Sequence, residues 1–377
     1  MQYIFVFGKN PSLSLAEIVS YLEPKSQFSI LELTDQFTII ETDFKPDINQ
    51  LGGTLKIAEV LTNEKEYDFY NIYKDTTGPF AVSSYTSKGD QENFINIIKK
   101  QMKGDKIKAG CLHTDESFTP HTDLIKKHIL ERAFEIILIQ GKKFYLAKTI
   151  GAHNPYEFRK RDIERPSQRA MFAIPPRLCK IMINLSKPEG VLLDPFCGIG
   201  SILQEAVLMN LDIRGSDIDE SCIKSAIENL EWLEKEYKVT INPKEKVMVG
   251  DATKLTEYFK PESIDAIVTE PDLGPPLKFR AKPIRAVKII EHLRSLYEKT
   301  LEQMSVILKT GKRIVIILPY FEIDEKRIQM DVKDMARKNK LRIVDPLDKY
   351  NIPHYFPFLD YEERHKTIRQ IMILEKL

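Results

Sequence analysis

Cysteine is scarce in this chain. Its four cysteines, Cys111, Cys179, Cys197 and Cys222, are too few and too scattered for a disulfide scaffold, and none share Cys-x-x-Cys metal spacing. The seven histidines form no ligand cluster, and His365 in YEERHKTI reads as structural, so no metal is expected. Excess charge is also missing. With a formal net charge of +1 the chain is no polyelectrolyte, and any nucleic-acid surface must be a local patch. No stretch approaches about 18 uninterrupted apolar residues, the length of a membrane span. The start, MQYIFVFGKNPSLSLAEI, lacks the basic n-region of a signal peptide. No repeat of fixed period and no low-complexity tract is visible. What remains is a chain of 377 residues, 42% hydrophobic, long enough for two or three domains with packed cores. A soluble, reduced, cytoplasmic monomer is expected.

The first 62 residues read as a small α+β unit. YIFVFG is a strand, and SLSLAEIVSYL is helical with Ser12 or Ser14 as N-cap. FSILELTDQFTIIET alternates like a hairpin that turns near Thr34–Asp35. Residues 63–150 form a second unit. It holds the strand PFAVSSY, helices over QENFINIIKKQMK and HTDLIKKHILE, and a hairpin, EIILIQGKKFYLAKTI, turning at Gly141–Lys142. Residues 151–170 read as a linker, part of a Pro- and Arg-rich stretch with docking segments that reaches residue 177.

From there the pattern alternates between strand and helix: VLLDPF, SILQEAVLMN, DIRGSDI, ESCIKSAIENLEWLEKEY, KVMVGDA and IDAIVTE. A long helix over about 285–308 follows, then strand RIVIILPY, a helix near 324–338, strand LRIVDP and a last strand, IRQIMILEK. This is an α/β pattern, and it predicts a mostly parallel sheet covered on both faces. The last strand comes after a long connection without a clear helix, which predicts that it inserts antiparallel.

Chemistry enters at LLDPFCGIGS. A buried strand ends at Asp194, a tight loop carries Gly198 and Gly200, and a helix begins near Ser201. Glycines admit a ligand close to the backbone, and the helix N-terminus offers N–H groups. Asp217 closes the next strand, 23 residues after Asp194, near the spacing of an acid that grips ribose hydroxyls. Asp251 and Glu270 close the third and fourth strands. Four strands ending in carboxylates predict a nucleoside pocket. The loop has neither the full G-x-G-x-x-G fingerprint nor a P-loop Lys-Ser/Thr, and an aspartate at its mouth would repel a pyrophosphate. It suits the cationic amino-acid part of S-adenosylmethionine. Asp194 is then expected on the methionine ammonium, Asp217 on the ribose, and Asp251 with Ala252 on the adenine edge. Phe196, Gly198, Gly200 and Ile218 complete the candidate cofactor set. Cys197 lies inside this loop and reads as small buried packing.

DPFCGIGSILQEA, GSDID, VGDA and an acid-Pro motif, in that order, resemble class I S-adenosylmethionine-dependent methyltransferases. RPSQRAMFAIPPRLCKIMINL ahead of them is similar to the THUMP-containing tRNA guanosine-N2 methyltransferases that act on position ten of tRNA. GKNPSLSLAEI and LGGTLKIAEVL resemble the N-terminal segment of the archaeal-type members. The resemblance covers essentially the whole chain. It implies a ferredoxin-like segment at 1–62, a THUMP-like RNA-binding domain at 63–150, and a Rossmann-like methyltransferase domain at 171–377 with a mostly parallel seven-stranded sheet. It implies tRNA capture by the N-terminal part and amine methylation by the C-terminal part. A small activating protein subunit stays open as a partner. So do two other readings: an amino methyltransferase acting on ribosomal RNA or DNA, and an RNA-binding subunit impaired in catalysis.

The family's acid-Pro motif is Asp/Asn-Pro-Pro followed by an aromatic. Here it reads Glu270, Pro271, Asp272, Leu273, so the acid and first proline stay while two positions depart. An exocyclic guanine amine is a poor nucleophile because its lone pair is delocalised. Glu270 and the Pro271 carbonyl are expected to accept its N–H groups and orient it, and Pro271 restricts both residues. Asp272 reads either as a partner for the guanine edge or as a cap for the turn at Leu273–Gly274. Phe196, Phe279 or the Tyr320–Phe321 pair stand in for the missing aromatic.

For RNA capture, Lys99, Lys100, Lys103, Lys106 and Lys108 cluster against one acid, Asp105. Arg159, Lys160, Arg161, Arg165 and Arg169 follow in the linker, with Lys126, Lys127, Lys142 and Lys143 between the two groups. In a neutral protein this placement predicts a phosphate track.

Overall fold

The computed structural model describes residues 1–377 apart from 86–87, 115, 169–173, 278, 325 and 362–365; Arg169 and His365 therefore lie outside the described residues. The chain divides into two compact units, Met1–Leu15 with Leu22–Glu157, and Ala16–Tyr21 with Phe158–Leu377.

The first unit is built on one sheet of seven strands: β1 (Gln2–Phe7), β2 (Phe28–Leu33), β3 (Phe37–Thr42), β4 (Thr54–Thr62), β5 (Ala81–Ser84), β6 (Glu135–Gln140) and β7 (Phe144–Ala152), in the order β2-β3-β1-β4-β7-β6-β5. All neighbours pair antiparallel except β5 with β6. The sheet is continuous across residue 62, because β4 pairs β1 on one side and β7 on the other. The β2–β3 turn closes where expected, with Thr34 N–H donating to Phe37 O at 2.9 Å. The stretch HTDLIKKHILE is two short helices, His121–Lys126 and Ile129–Arg132, because His128 between them is left-handed (φ 52°). Helix Lys88–Gly104 buries Phe94, Ile95, Ile98 and Met102 on one side and turns its lysines outward. Inside the sheet, Lys56 Nζ donates to Glu135 Oε1 at 2.5 Å, and Glu135 also accepts from Ser83 and Thr149. The buried pair is thus fully bonded, as burial of charge requires.

The second unit carries a mixed sheet. Its strands are β8 (Val191–Asp194), β9 (Asp212–Asp217), β10 (Val247–Val249), β11 (Ile264–Thr269), β12 (Leu308–Ile323), β13 (Lys326–Gln329), β14 (Leu341–Ile343), β15 (Phe358–Asp360) and β16 (Ile368–Lys376). Seven of them follow the path β10-β9-β8-β11-β12-β16-β14, while β13 pairs β12 and β15 pairs β16 at the side. The first five on the path run parallel. β16 inserts antiparallel between β12 and β14, as its long connection predicts. The helix expected near 324–338 is a correction. β12 runs on to Ile323, turns at Asp324 (φ 48°) into β13, and leaves a helix only over Lys333–Lys338.

Helix Glu220–Tyr237 starts on Asp219, whose carboxylate accepts from Ser221 N–H, and ends on left-handed Lys238. Helix Pro283–Ile307 begins with proline, where no N–H is needed, and lays Leu293, Tyr297, Leu301 and Met304 on the core beside Leu318 and Met372. Every residue of β11 is buried, the mark of a strand covered on both faces. The stretch read as a linker is not extended: it contains helix Pro155–Ile163.

Candidate active site

The carboxyl ends of β8, β9, β10 and β11 lie side by side, and each delivers its acid to the same edge of the sheet. Asp194 is buried at 2% exposure. Its Oδ1 accepts from Thr269 Oγ1 at 2.7 Å and from Phe196 N–H at 3.2 Å. Burial pushes this carboxyl up to about 7, against the pull of those two hydrogen bonds and with help from the charges of Asp217 and Glu270. After Asp194 the loop turns on Gly198 (φ 50°) and Gly200 (φ 86°) into helix Ser201–Leu208. A Cβ added at Gly198 would meet nothing within 4 Å, so open space stands over the loop at this point. Cys197 ties the loop to β9 through its N–H to Ser216 O, and burial holds its thiol well above the usual range, which rules it out as a nucleophile.

Asp217 braces the same loop. Its Oδ2 accepts from Gly198 N–H and its Oδ1 from Asp219 N–H, both at 2.9 Å. Each oxygen keeps a lone pair for a hydroxyl donor. Ile218 beside it is 74% exposed, an apolar side chain held out at the lip. Asp251 takes Thr253 Oγ1–H and N–H on Oδ1, which holds its carboxylate below the usual range. Ala252 is buried behind it. An open glycine loop, braced acids with spare lone pairs and an apolar lip fit a nucleoside carrying a cationic chain.

At the fourth strand the arrangement changes. Glu270 is clamped by Arg369 of β16: Nε donates to Oε1 at 2.6 Å and Nη2 to Oε2 at 3.4 Å, with the two side chains 12% and 4% exposed. Asp360 Oδ2 lies 3.9 Å from Arg369 Nη1. The fork uses one lone pair on each Glu270 oxygen and leaves the others to accept. Pro271 is buried. Asp272 is exposed, and its Oδ1 accepts from Gly274 N–H at 2.8 Å while Gly274 takes φ 93°. Tyr297 O–H donates to the Asp272 carbonyl at 3.0 Å, fixing the loop to helix Pro283–Ile307. Among the suggested stacking aromatics, Tyr320 and Phe321 are 1% and 2% exposed and packed in the core, so they present no face to a base. Phe196 is half-buried and Phe279 is 82% exposed.

The basic residues separate sharply. Lys99, Lys100, Lys103, Lys106 and Lys108 are exposed, and Lys99, Lys103, Lys106 and Lys108 line an open cavity of about 580 Å³ with Met102 and Ile107 at its base. Arg159 is exposed, with Glu164 at 3.9 Å. Lys160 is half-buried and paired with Glu236. Arg161 and Arg165 correct the expectation of an RNA-facing linker, because both are buried. Arg161 spends its guanidinium on Glu205, at 2.5 and 3.2 Å, and on Tyr237 Oη, and stacks on Phe158 at 4.6 Å. Arg165 donates to Ser201 Oγ at 2.8 Å.

Three residues at this edge escaped the sequence reading: Thr269, Tyr297 and Arg369. Arg369 alone leaves a trace, as a cation near the head of an otherwise apolar strand, IRQIMILEK.

The family described as UPF0020, RMKL-like, methyltransferase domain matches residues 166–345. The chain is 30% identical over 356 residues to the tRNA (guanine(10)-N2)-dimethyltransferase of Methanocaldococcus jannaschii, covering 86% of this chain and 92% of that protein. It is 26% identical over 331 residues to the protein of the same name from Pyrococcus abyssi, covering 85% and 88%. Among solved structures, TrmN from Thermus thermophilus superposes with a TM-score of 0.51 at 13% identity and covers 100% of both chains, a likeness of fold. With a relative at that identity matched over nearly its full length, the chain belongs to the tRNA (guanine(10)-N2)-dimethyltransferase family.

Proposed function

We propose that this protein transfers methyl groups from S-adenosylmethionine to the exocyclic N2 amine of a guanosine in tRNA, at position ten as its relatives' names specify. The observation that carries the reading is the row of strand-end acids, three around an open glycine loop and the fourth joined to a buried proline. S-adenosylmethionine, when bound, supplies an electrophilic methyl on a sulfonium. Asp217 receives the ribose hydroxyls on its two spare lone pairs, Asp251 and Ala252 face the adenine edge, and Ile218 packs on the ring. Asp194 meets the ammonium of the methionine part, which favours its ionised form. Phe196, Gly198 and Gly200 shape the loop against the chain between them.

On the acceptor side, Glu270 and the Pro271 carbonyl accept the two N–H groups of the guanine amine. This localises the nitrogen lone pair and aims it along one line. The nitrogen–carbon bond forms as the carbon–sulfur bond breaks. The resulting cationic nitrogen is acidic and gives up a proton without a strong base. Orientation therefore does most of the work, and aligned reactions gain effective molarities of roughly 10⁵ M or more. Arg369 holds Glu270 ionised and still, a positioning role. Phe279, exposed on the loop after Asp272, is the aromatic available to an extruded base.

The first unit, read as a ferredoxin-like segment and a THUMP-like domain, captures the RNA. The exposed lysines around the open cavity, Lys99, Lys100 and Lys103 foremost, support phosphate contacts there. Neutralising these three together is expected to flatten the salt dependence of tRNA binding; an unchanged slope would move the RNA elsewhere.

The decisive experiment incubates the protein with S-adenosylmethionine and total tRNA and identifies the released nucleosides by mass spectrometry. N2-methylated guanosine is expected from tRNA and none from duplex DNA. Cofactor binding without any methylated guanosine would defeat the proposal.

A further inference from the structure

Arg165 stands apart from the other buried cations of its unit. It is 2% exposed, and among the described residues no carboxylate pairs with it. Its Nη1 donates to Ser201 Oγ, and its Nε has no partner among the described residues. The nearby carboxylate, Glu205, is already taken by Arg161 on both oxygens, with Lys180 Nζ at 3.5 Å from Oε2. A buried guanidinium without a counterion is costly, so its presence calls for an anion from outside the chain.

Its place says which anion. Ser201 is the first residue of helix Ser201–Leu208, directly after left-handed Gly200, and no side-chain cap closes this end among the described residues. The first-turn amides and the helix dipole favour negative charge there. Because Ser201 Oγ accepts from Arg165, its own O–H is left to donate elsewhere. The bracket around this point is rigid. Asn229, fully buried, accepts from Ser167 N–H at 2.9 Å and donates to Ser167 O at 3.0 Å and to Ile199 O at 2.9 Å, tying the Arg165 segment to the glycine loop. The loop thus begins with a buried acid, Asp194, and ends at a helix head backed by a buried base. That is the charge pattern of an amino-acid zwitterion.

We propose that Arg165, acting through Ser201 and the head of its helix, forms the subsite for the carboxylate of the methionine part of S-adenosylmethionine. The proposal rests on the reading of the pocket as an S-adenosylmethionine site. It makes Arg165 a positioning residue for the cofactor instead of an RNA contact.

Calorimetry on the full chain tests it with two ligands: S-adenosylmethionine and its decarboxylated form, which keeps the sulfonium and the amine. Wild type is expected to bind the complete cofactor at least roughly tenfold more tightly, the worth of a hydrogen bond to a charged group. Arg165→Gln should erase most of that preference and leave the decarboxylated ligand's affinity within about twofold. Ser201→Ala should act in the same direction, and it carries the test if Arg165→Gln does not fold. Equal weakening of both ligands, or wild-type protein that binds both alike, overturns the carboxylate subsite while leaving the cofactor reading intact. Wild-type protein that binds neither overturns both.

Discussion

The cofactor edge and the acceptor edge of this site are built on neighbouring strands by different means. At the cofactor edge, Asp194, Asp217 and Asp251 each accept a backbone N–H from two residues ahead or from the adjoining loop. Main chain holds them, so each acid carries its own support within about 20 residues. At the acceptor edge, Glu270 is held by a side chain 99 residues away, on a strand that arrives from the far end of the chain. An acid supported by main chain tolerates change around it. An acid supported by one arginine depends on that arginine, and on its own length to reach it.

The largest effect should therefore come from the acceptor edge. Glu270→Ala is expected to lower single-turnover methyl transfer by at least about 10²-fold, with tRNA binding nearly intact. Because the change strands Arg369 in a buried site, a loss of stability of about 3 kcal/mol should accompany it. Glu270→Gln keeps an oxygen that accepts, so partial activity should survive, whereas loss equal to that of Glu270→Ala would indicate a general base. Full activity in Glu270→Ala would break the comparison outright.

Next comes the cofactor edge. Asp217→Ala should weaken S-adenosylmethionine by about 1.5–3 kcal/mol, measured by calorimetry on folded protein. Unchanged affinity would remove Asp217 from the ribose. The same ligand sharpens the picture of Asp194 through pH. Its carboxyl is raised to about 7, so the folded apoprotein holds a proton that the unfolded chain releases near the usual carboxylate pKa. Its contribution to stability is then complete below that usual value and is lost as pH rises through about 7. Cofactor affinity should run the other way, rising by at most about tenfold per pH unit up to about 7 and then levelling, because the ammonium needs the carboxylate. Asp194→Asn should flatten both dependences. A flat affinity profile in the native protein would take Asp194 off the ammonium.

How far the site could be read from sequence follows the same division. Strand ends at Asp194, Asp217, Asp251 and Glu270 were legible because period and spacing are local, and the antiparallel insertion of β16 was legible from its connection. The clamp by Arg369 was not, since nothing local distinguishes a cation bound for a carboxylate from one bound for solvent. The same blindness affected Arg161 and Arg165. In FRKRDIERP they look like a basic surface, but helix Pro155–Ile163 and the turn after it carry both inward, to Glu205 and Ser201. The long helix read near 324–338 failed for another reason. A turn at a left-handed aspartate can prolong a sheet as readily as start a helix, and here β12 and β13 pair over four residues.

The smallest effect should come from the residue that departs most visibly from the family's motif. Asp272 occupies the place of the second proline, and a carboxylate there could face the guanine edge. The geometry assigns it other work. Its Oδ1 accepts from Gly274 N–H, its carbonyl is fixed by Tyr297, and its neighbour Gly274 holds a φ of 93° that suits glycine. Asparagine offers the same acceptor to the same N–H and serves such turns equally well. Asp272→Asn is therefore expected to change single-turnover transfer to guanosine in tRNA by less than about twofold. If it read the base, the new amide N–H groups would face guanine N1–H, donor against donor, and transfer would fall steeply. A large loss with the melting temperature unchanged would move Asp272 from the turn to the base, and would extend the acceptor edge by one carboxylate that, unlike Glu270, relies on main chain for its support.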